Sequence, residues 1–326
     1  MPSSLYETNV LNQPSEWRRI LNTPLPLGVN ELTSKKKIIF VGIGSSYWAA
    51  RFAEFLWREY STQPYVDVTS VQSYDFVRTK YFTSTNDIVA VFSHRGTKTF
   101  SVHALEFAKR CGATTILITG IGSPNHDAVT DFRIETCAQE NSGAFTVSLT
   151  SAVVRVIQWL GSLFDTNLSE RFKEWIRNIE LLFKVQVPKF LTNLVIIGDL
   201  IREVIAHEVS LKISETCYLP VRSFGLEEFL HGPRVTLDKQ SSLVAFTSIS
   251  EPRRKDVIRY AEAVGSEVIN IDERSFKTAE KEFAWLAQLV WGQQLALELS
   301  KKLNINPDTV RGDKSPYREA RNLLTS

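Results

Sequence analysis

The sequence predicts an α/β protein built on parallel sheets. Three observations lead there. Apolar runs that read as buried strands alternate with stretches of helical period, the same order of runs occurs twice, and the loops after the strands carry Gly, Ser and Thr where helices begin. With 326 residues, 43% of them hydrophobic, the chain has material for two domains, each with its own core.

Taken in order, residues 1–36 are expected as an N-terminal helical segment; their opening, MPSSLYETNVLNQPSEWRR, lacks the apolar stretch of a secretion signal. KIIFVGIG at 37–44 is a buried-type strand, and SSYWAARFAEFLWREY after it sets Ala49, Phe52, Phe55 and Leu56 on one helical face. Short strands follow at YVDVTS (65–70), DIVAVFS (87–93) and TTILIT (114–119), the last two separated by a long helix of EFAKR type. Helices are expected over 150–185, joining this half to the next. The second half then repeats the order: NLVIIGD at 193–199, the helix REVIAHEVSLKISE, and strands YLPVRS (218–223), SLVAFTS (242–248) and SEVINID (266–272). Val41-Gly42 matches Ile197-Gly198 at an offset of 156, Tyr65 matches Tyr218 at 153, and Ile88 matches Leu243 at 155. A nearly constant offset of this length means two tandem copies of one flavodoxin-like, three-layer α/β/α unit, not a solenoid. The expected division is 1–36, 37–185 and 186–326.

Composition narrows the function. A net charge of +2 with scattered lysines and arginines gives no basic face for nucleic acid or an anionic membrane. Cys111, Cys137 and Cys217 are odd in number and dispersed, which suits a reducing compartment. No run reaches the roughly 18 apolar residues of a membrane span, so a cytoplasmic protein is expected. None of the 5 histidines pairs at metal-ligand spacing, and no metal or cofactor is expected. A nicotinamide reading of VGIGSS lacks the third glycine and a well-placed acidic residue, Asp67 being the nearest.

In parallel α/β sheets ligands bind beyond the carboxyl ends of the strands. That rule selects GIGSS (Gly44, Ser45, Ser46), SHRGTK (Ser93, His94, Arg95, Thr97, Lys98) and AQENSGAFT with its continuation (Glu140, Thr146, Ser148). Backbone N–H groups and hydroxyls at helix starts can surround an anion. The plainer alternative is that these residues only cap their helices. The matching loops of the second half, GDLIRE and SISEPRR, have lost most of these groups.

With the duplication, these loops resemble the sugar isomerase (SIS) family, in the double-SIS arrangement of the isomerase module of glucosamine-6-phosphate synthase. GSS at 44–46, SHRGTK and ENSGAFT resemble the family's Gly-Thr-Ser, Ser-Gln-Ser-Gly-Glu-Thr and Glu-x-x-Val-Ala-Ser-Thr segments. SLKISE at 210–215, followed 16 residues after Glu215 by His231 in LHGP, resembles its Leu-Lys-x-x-Glu and His-Gly-Pro pair. The resemblance implies a 6-phosphorylated sugar or amino sugar as ligand. It also implies Glu215 as the base moving a proton between C1 and C2, and His231 as the ring-opening group, supplied to the neighbouring subunit of a homodimer. Lys212 is then the neighbour that can stabilise an enediolate oxygen, since deprotonation beside a carbonyl needs a positioned base and a donor for the oxyanion. Read alone, Lys212 and Glu215 are a solvated i,i+3 pair and His231 a turn residue.

The chain departs from the family pattern at Arg95 and Lys98, which replace Ser and Thr, and at Phe145, which replaces Ser. Arg311 matches the family's C-terminal Arg, whereas Lys314 falls one position early for the Schiff-base lysine. The tail resembles members that act as amino-sugar-phosphate deaminases or deglycases. No cysteine or glutaminase domain precedes residue 37, so glutamine is not expected as a nitrogen donor within this chain. The expected function is thus sugar-phosphate isomerisation or amino-sugar-phosphate deamination or deglycation; the alternative is a non-catalytic sugar-phosphate sensor.

Overall fold

The computed structural model of the chain describes residues 3–62, 66–277, 281–321 and 323. The chain forms two compact units. One holds Asn12–Glu140 with Phe145–Ile176; the other holds Asn141–Ala144 and Arg177–Leu323 with the N-terminal residues up to Leu11. The first helix, α1 (Leu5–Leu21), therefore contributes its opening turns to one unit and the rest to the other.

The first unit is built on β1 (Lys37–Gly42), β2 (Asp67–Gln72), β3 (Asp87–Phe92), β4 (Thr114–Ile121) and β5 (Phe132–Ala138), parallel throughout in the order β2-β1-β3-β4-β5. Its helices are α2 (Ser45–Tyr60), α3 (Ser73–Arg78), α4 (Thr99–Arg110), α5 (Val147–Leu163) and α6 (Leu168–Asn178). Successive side chains of β1 point to opposite faces, and both faces are covered. Ile39 and Val41 join Val89 and Val91 against Phe76 of α3 and Ala104, Leu105 and Ala108 of α4. On the other face Phe40 packs on Phe92 and on Trp57 of α2, which meets Trp159 of α5 edge-on at 5.0 Å. A buried aromatic of this kind contributes about 1.5–3 kcal/mol. The buried stripe of α2 is Ala49, Phe52, Ala53, Leu56 and Trp57. Phe55, expected on that face, is only half-buried.

The second unit has β6 (Leu194–Gly198), β7 (Arg222–Gly225), β8 (Ser242–Phe246) and β9 (Glu267–Ile271), parallel in the order β7-β6-β8-β9. Helices α7 (Ile201–Cys217), α8 (Leu226–Leu230), α9 (Arg254–Ala263), α10 (Ala284–Lys302) and α11 (Ser315–Arg321) complete it. Val195, Ile197, Leu243 and Ala245 pack on Phe229 of α8 and on Val257 and Ala261 of α9. α7 and α10 lie together over the opposite face, where a Cβ on Gly292 of α10 would meet the Val209 side chain of α7 at 2.1 Å and Trp291 meets Phe246.

The α/β class with parallel sheets is therefore the observed one. Two details differ from the sequence reading, and one call falls on residues that are not described. β5 is an additional strand, and its mixed run FRIETCA lies at the sheet edge. β7 begins at Arg222 because Tyr218 is the left-handed residue that ends α7 (φ 60, ψ 28), so the run from 218 does not start a strand. Tyr65, one of the repeat landmarks, lies outside the described residues. At the start of α1, Asp308 accepts hydrogen bonds from the backbone N–H groups of Leu5 (2.9 Å) and Tyr6 (2.8 Å), satisfying donors that a helix start leaves open.

Candidate anion pocket and base cluster

The first unit gathers its three selected loops at the carboxyl ends of β1, β3 and β5. After β1 the chain turns abruptly through Gly44 (φ 57, ψ −133), a conformation that glycine adopts freely. Gly42 is equally constrained: a Cβ there would sit 2.2 Å from the carbonyl oxygen of Ser46. Ser45 and Ser46 thereby open α2 half-buried. The residues immediately before α2, α4 and α5, Gly44, Lys98 and Thr146, make no side-chain cap bond to these helices.

After β3, Ser93 and His94 are buried whereas Arg95, Thr97 and Lys98 are exposed. His94 is held from several sides. Its carbonyl accepts from Gly120 N (2.9 Å) and Gln139 Nε2 (3.1 Å), and its ring Nε2 accepts from Glu140 N–H at 2.9 Å. That last bond leaves the ring hydrogen on Nδ1. Burial, and then the neighbouring Arg95 cation, push the imidazole pKa down to about 4, so the ring is neutral at physiological pH. Ser93 Oγ and His94 Nδ1 are buried without a hydrogen-bond partner among the described residues.

Glu140 is buried, and its carboxylate accepts from Thr146 N (2.8 Å), Thr146 Oγ1 (2.9 Å), Ser148 N (3.1 Å) and Ser148 Oγ (2.6 Å). The start of α5 is thus served by a carboxylate of the chain itself, a favourable place for negative charge. Phe145, half-buried between these residues, meets the His94 ring edge-on at 5.3 Å and lies 5.1 Å from the Arg95 guanidinium. Ser45, Ser46, Ser93, His94, Phe145 and Ser148 line a cavity of about 20 Å³, room for about one water-sized group. The hydroxyls of Thr146 and Ser148 are turned to Glu140; Ser46 is half-buried, and Arg95, Thr97 and Lys98 are exposed.

In the second unit α7 carries the expected base. Lys212 is fully buried, and its Nζ donates to Glu215 Oε2 while lying 3.5 Å from Glu208 Oε1; the side chain of Glu215 is 28% exposed. Glu208, also fully buried, was not among the sequence-derived candidates. Its signal was present, since Glu208, Lys212 and Glu215 are spaced i, i+4, i+7 and so share a helix face.

Arg311 is stacked between the rings of Tyr218 (4.2 Å) and Tyr317 (4.6 Å), donates from its backbone N–H to Tyr218 Oη and from Nη1 to Tyr317 Oη, and borders a surface recess of about 460 Å³. Lys314 is exposed. His231 stands at the surface with its Nε2 3.0 Å from Glu227, a carboxylate that also pairs with Arg253. No hydrogen bond joins His231 to Glu215 among the described residues.

The class defined by this fold agrees with comparison to known proteins: the sequence model of the SIS domain matches residues 31–158, which hold the whole first sheet and the start of α5. Among curated proteins, a glutamine–fructose-6-phosphate aminotransferase (isomerizing) of Clostridium acetobutylicum is 25% identical over 293 residues, covering 81% of this chain. The chain spans between 38% and 47% of the length of the curated relatives it matches. Among solved structures, the tagatose-6-phosphate ketose/aldose isomerase of Escherichia coli superposes with a TM-score of 0.78 at 19% identity, covering 94% of this chain and 95% of its own. The glucosamine-6-phosphate deaminase of Thermotoga maritima gives a TM-score of 0.72 at 18% identity, covering 94% and 97%. At such identities the structural likeness establishes the fold.

No helix among the described residues is long and apolar enough to cross a membrane, and no group of three or more His, Cys, Asp or Glu among them could hold a metal ion.

Proposed function

We propose that the chain is a double-SIS protein of the cytoplasm, its copies at 37–185 and 186–326, acting as an isomerase or an amino-sugar-phosphate deaminase or deglycase on a 6-phosphorylated sugar or amino sugar. The observation that carries this reading is the Lys212–Glu215 pair: a buried ammonium holds a half-buried carboxylate in one orientation on α7. A base that shuttles a proton between adjacent carbons must be fixed and must reach substrate, and Glu215 meets both needs. Glu208 secures Lys212 from the far side. The phosphate is assigned to the α2 and α4 starts, with Ser46, Ser93, Arg95, Thr97 and Lys98 as donors. His231, exposed and not hydrogen-bonded to Glu215, is assigned to the site of a second copy in a homodimer, so that each site draws on both chains. The match of residues 31–158 and the two deaminase and isomerase folds support the substrate class.

A second reading is a non-catalytic sugar-phosphate sensor built on the same fold, since the fold by itself does not require catalysis. Turnover assays with fructose 6-phosphate, glucosamine 6-phosphate and galactosamine 6-phosphate, scoring isomer, ammonia and solvent deuterium at C1 or C2, separate the two. Deuterium exchange that Glu215→Gln abolishes is the expected result. Tight binding with no exchange on any of the three sugars establishes the sensor instead.

A further inference from the structure

The second sheet carries a loop of the same backbone form as the anion loop of the first. Leu200 (φ 46, ψ −121) takes the conformation of Gly44 (φ 57, ψ −133), and does so at a cost, because a side chain disfavours positive φ. A Cβ on Gly198 would lie 1.9 Å from the Arg202 carbonyl oxygen, as one on Gly42 would lie 2.2 Å from that of Ser46. Thr247 N–H bonds to the Ile271 carbonyl as Ser93 N–H bonds to that of Ile118, so Ser248 and Ile249 stand where His94 and Arg95 stand in the first sheet.

What differs is the filling. The N–H of Ser248 donates to Asp199 Oδ2 (2.7 Å) and the next N–H, that of Ile249, to Glu273 Oε2 (2.8 Å). The Arg202 guanidinium, from the first turn of α7, donates to Asp199 Oδ1 (3.2 Å), Glu273 Oε1 (2.6 Å) and Gln288 Oε1 (2.8 Å). All three charged residues are at least nine-tenths buried. Two successive backbone donors and a buried guanidinium, aimed at carboxylate oxygens, are the equipment of an oxyanion site. Here both anions belong to the chain.

We infer that the second sheet retains an oxyanion cradle that the chain keeps closed with Glu273 and Asp199, and that removing the Glu273 carboxylate opens it to a tetrahedral oxyanion such as sulfate or a phosphate monoester. Two oxygens of such an ion have a separation comparable to those of a carboxylate, so they can take the places of Oε1 and Oε2 against Arg202 and Ile249 N–H. Glu273→Ala leaves Arg202 facing the Asp199 carboxylate alone, so the cradle goes from one excess negative charge to none before the ion enters.

The test is thermal unfolding of the full chain in 50 mM sodium sulfate against sodium chloride of equal ionic strength. Glu273→Ala is expected to melt below wild type in chloride and to regain about 3 °C or more in sulfate relative to the wild-type response. Glu273→Gln, whose amide oxygen still accepts the Ile249 N–H, is expected to gain nothing beyond wild type, and so is Glu273→Ala/Arg202→Leu. Should Glu273→Ala not fold, Asp199→Ala opens the Ser248 N–H beside the same guanidinium and carries the same expectation. Equal sulfate stabilisation in all variants, or none beyond wild type in either alanine variant, overturns the inference.

Discussion

Removing the ammonium at the centre of the α7 cluster and removing the base at its edge should have opposite signatures. Lys212 lies fully buried between Glu208, fully buried as well, and Glu215, whose side chain is 28% exposed. Lys212→Met strands the Glu208 carboxylate in the interior, and breaking a buried pair from one side costs about 3–5 kcal/mol. Glu215→Gln leaves Lys212 paired with Glu208 and supplies an amide oxygen to the same Nζ, so the loss is one charged hydrogen bond replaced by a neutral one, about 1 kcal/mol. On activity the order reverses in kind: Glu215→Gln should lower kcat by about 10²- to 10⁴-fold with little change in KM, the signature of a missing general base. The pair Glu208→Leu/Lys212→Met removes both buried charges and should recover most of the stability that Lys212→Met alone loses. Urea unfolding followed by far-UV circular dichroism reads the stability, and turnover with a confirmed sugar phosphate reads the rate. A Lys212→Met protein as stable as wild type, or a Glu215→Gln protein that loses 3 kcal/mol or more, refutes the assignment of Glu208 as the structural partner and Glu215 as the working one.

Other outcomes follow from single contacts. Arg95→Ala should weaken phosphate binding by about 1.5–3 kcal/mol in calorimetry if its guanidinium makes a charged hydrogen bond to the ligand; unchanged affinity removes Arg95 from the site. His94, with its pKa held at about 4 in the fold against 6.5 as the ordinary value, binds its proton more readily when unfolded. Stability is therefore full above pH 6.5 and declines as the pH falls towards 4, by about 3 kcal/mol; a denaturation series in which His94→Gln keeps the wild-type slope contradicts this. Gly42→Ala forces a Cβ against the Ser46 carbonyl and should cost about 3 kcal/mol, the upper end for overpacking, with loss of anion binding; wild-type melting of that variant is the contrary result. Mixed Glu215→Gln and His231→Ala chains should regain activity if sites are shared in a dimer, and inactive mixtures argue that each chain keeps its own histidine.

Much of the fold was legible because strands buried on both faces read as unbroken apolar runs: β1, β3, β6 and β8 are each buried from their second residue onward. β5 was missed because an edge strand with Arg133 and Glu135 half-facing water breaks that pattern. β7 was placed too early because Tyr218 and Pro220 read as part of a β run, although the first ends a helix in the left-handed region. The loops at helix starts were legible from their Gly, Ser and Thr. What they touch was not: that Thr146 and Ser148 turn to Glu140, or that Phe145 lies between His94 and Arg95, depends on rotamers and on contacts between loops that no local spacing encodes. Glu208 could have been found, since its distance from Lys212 is one helical turn.

Asp308, which accepts the first N–H groups of α1, stands 303 positions after Leu5. At roughly 5–20 residues per second of synthesis, the helix spends on the order of 15–60 s without the acceptor for its first turn. Its opening turns belong to the unit that is made last, whereas the remainder, with Trp17 against Phe172 and Trp175, can settle as soon as α6 has emerged. The start of α1 is thus secured only when the C-terminal segment arrives, an exposed handle for chaperones or proteases until then, and a ribosome stalled anywhere before residue 308 leaves a product whose α1 has no lock.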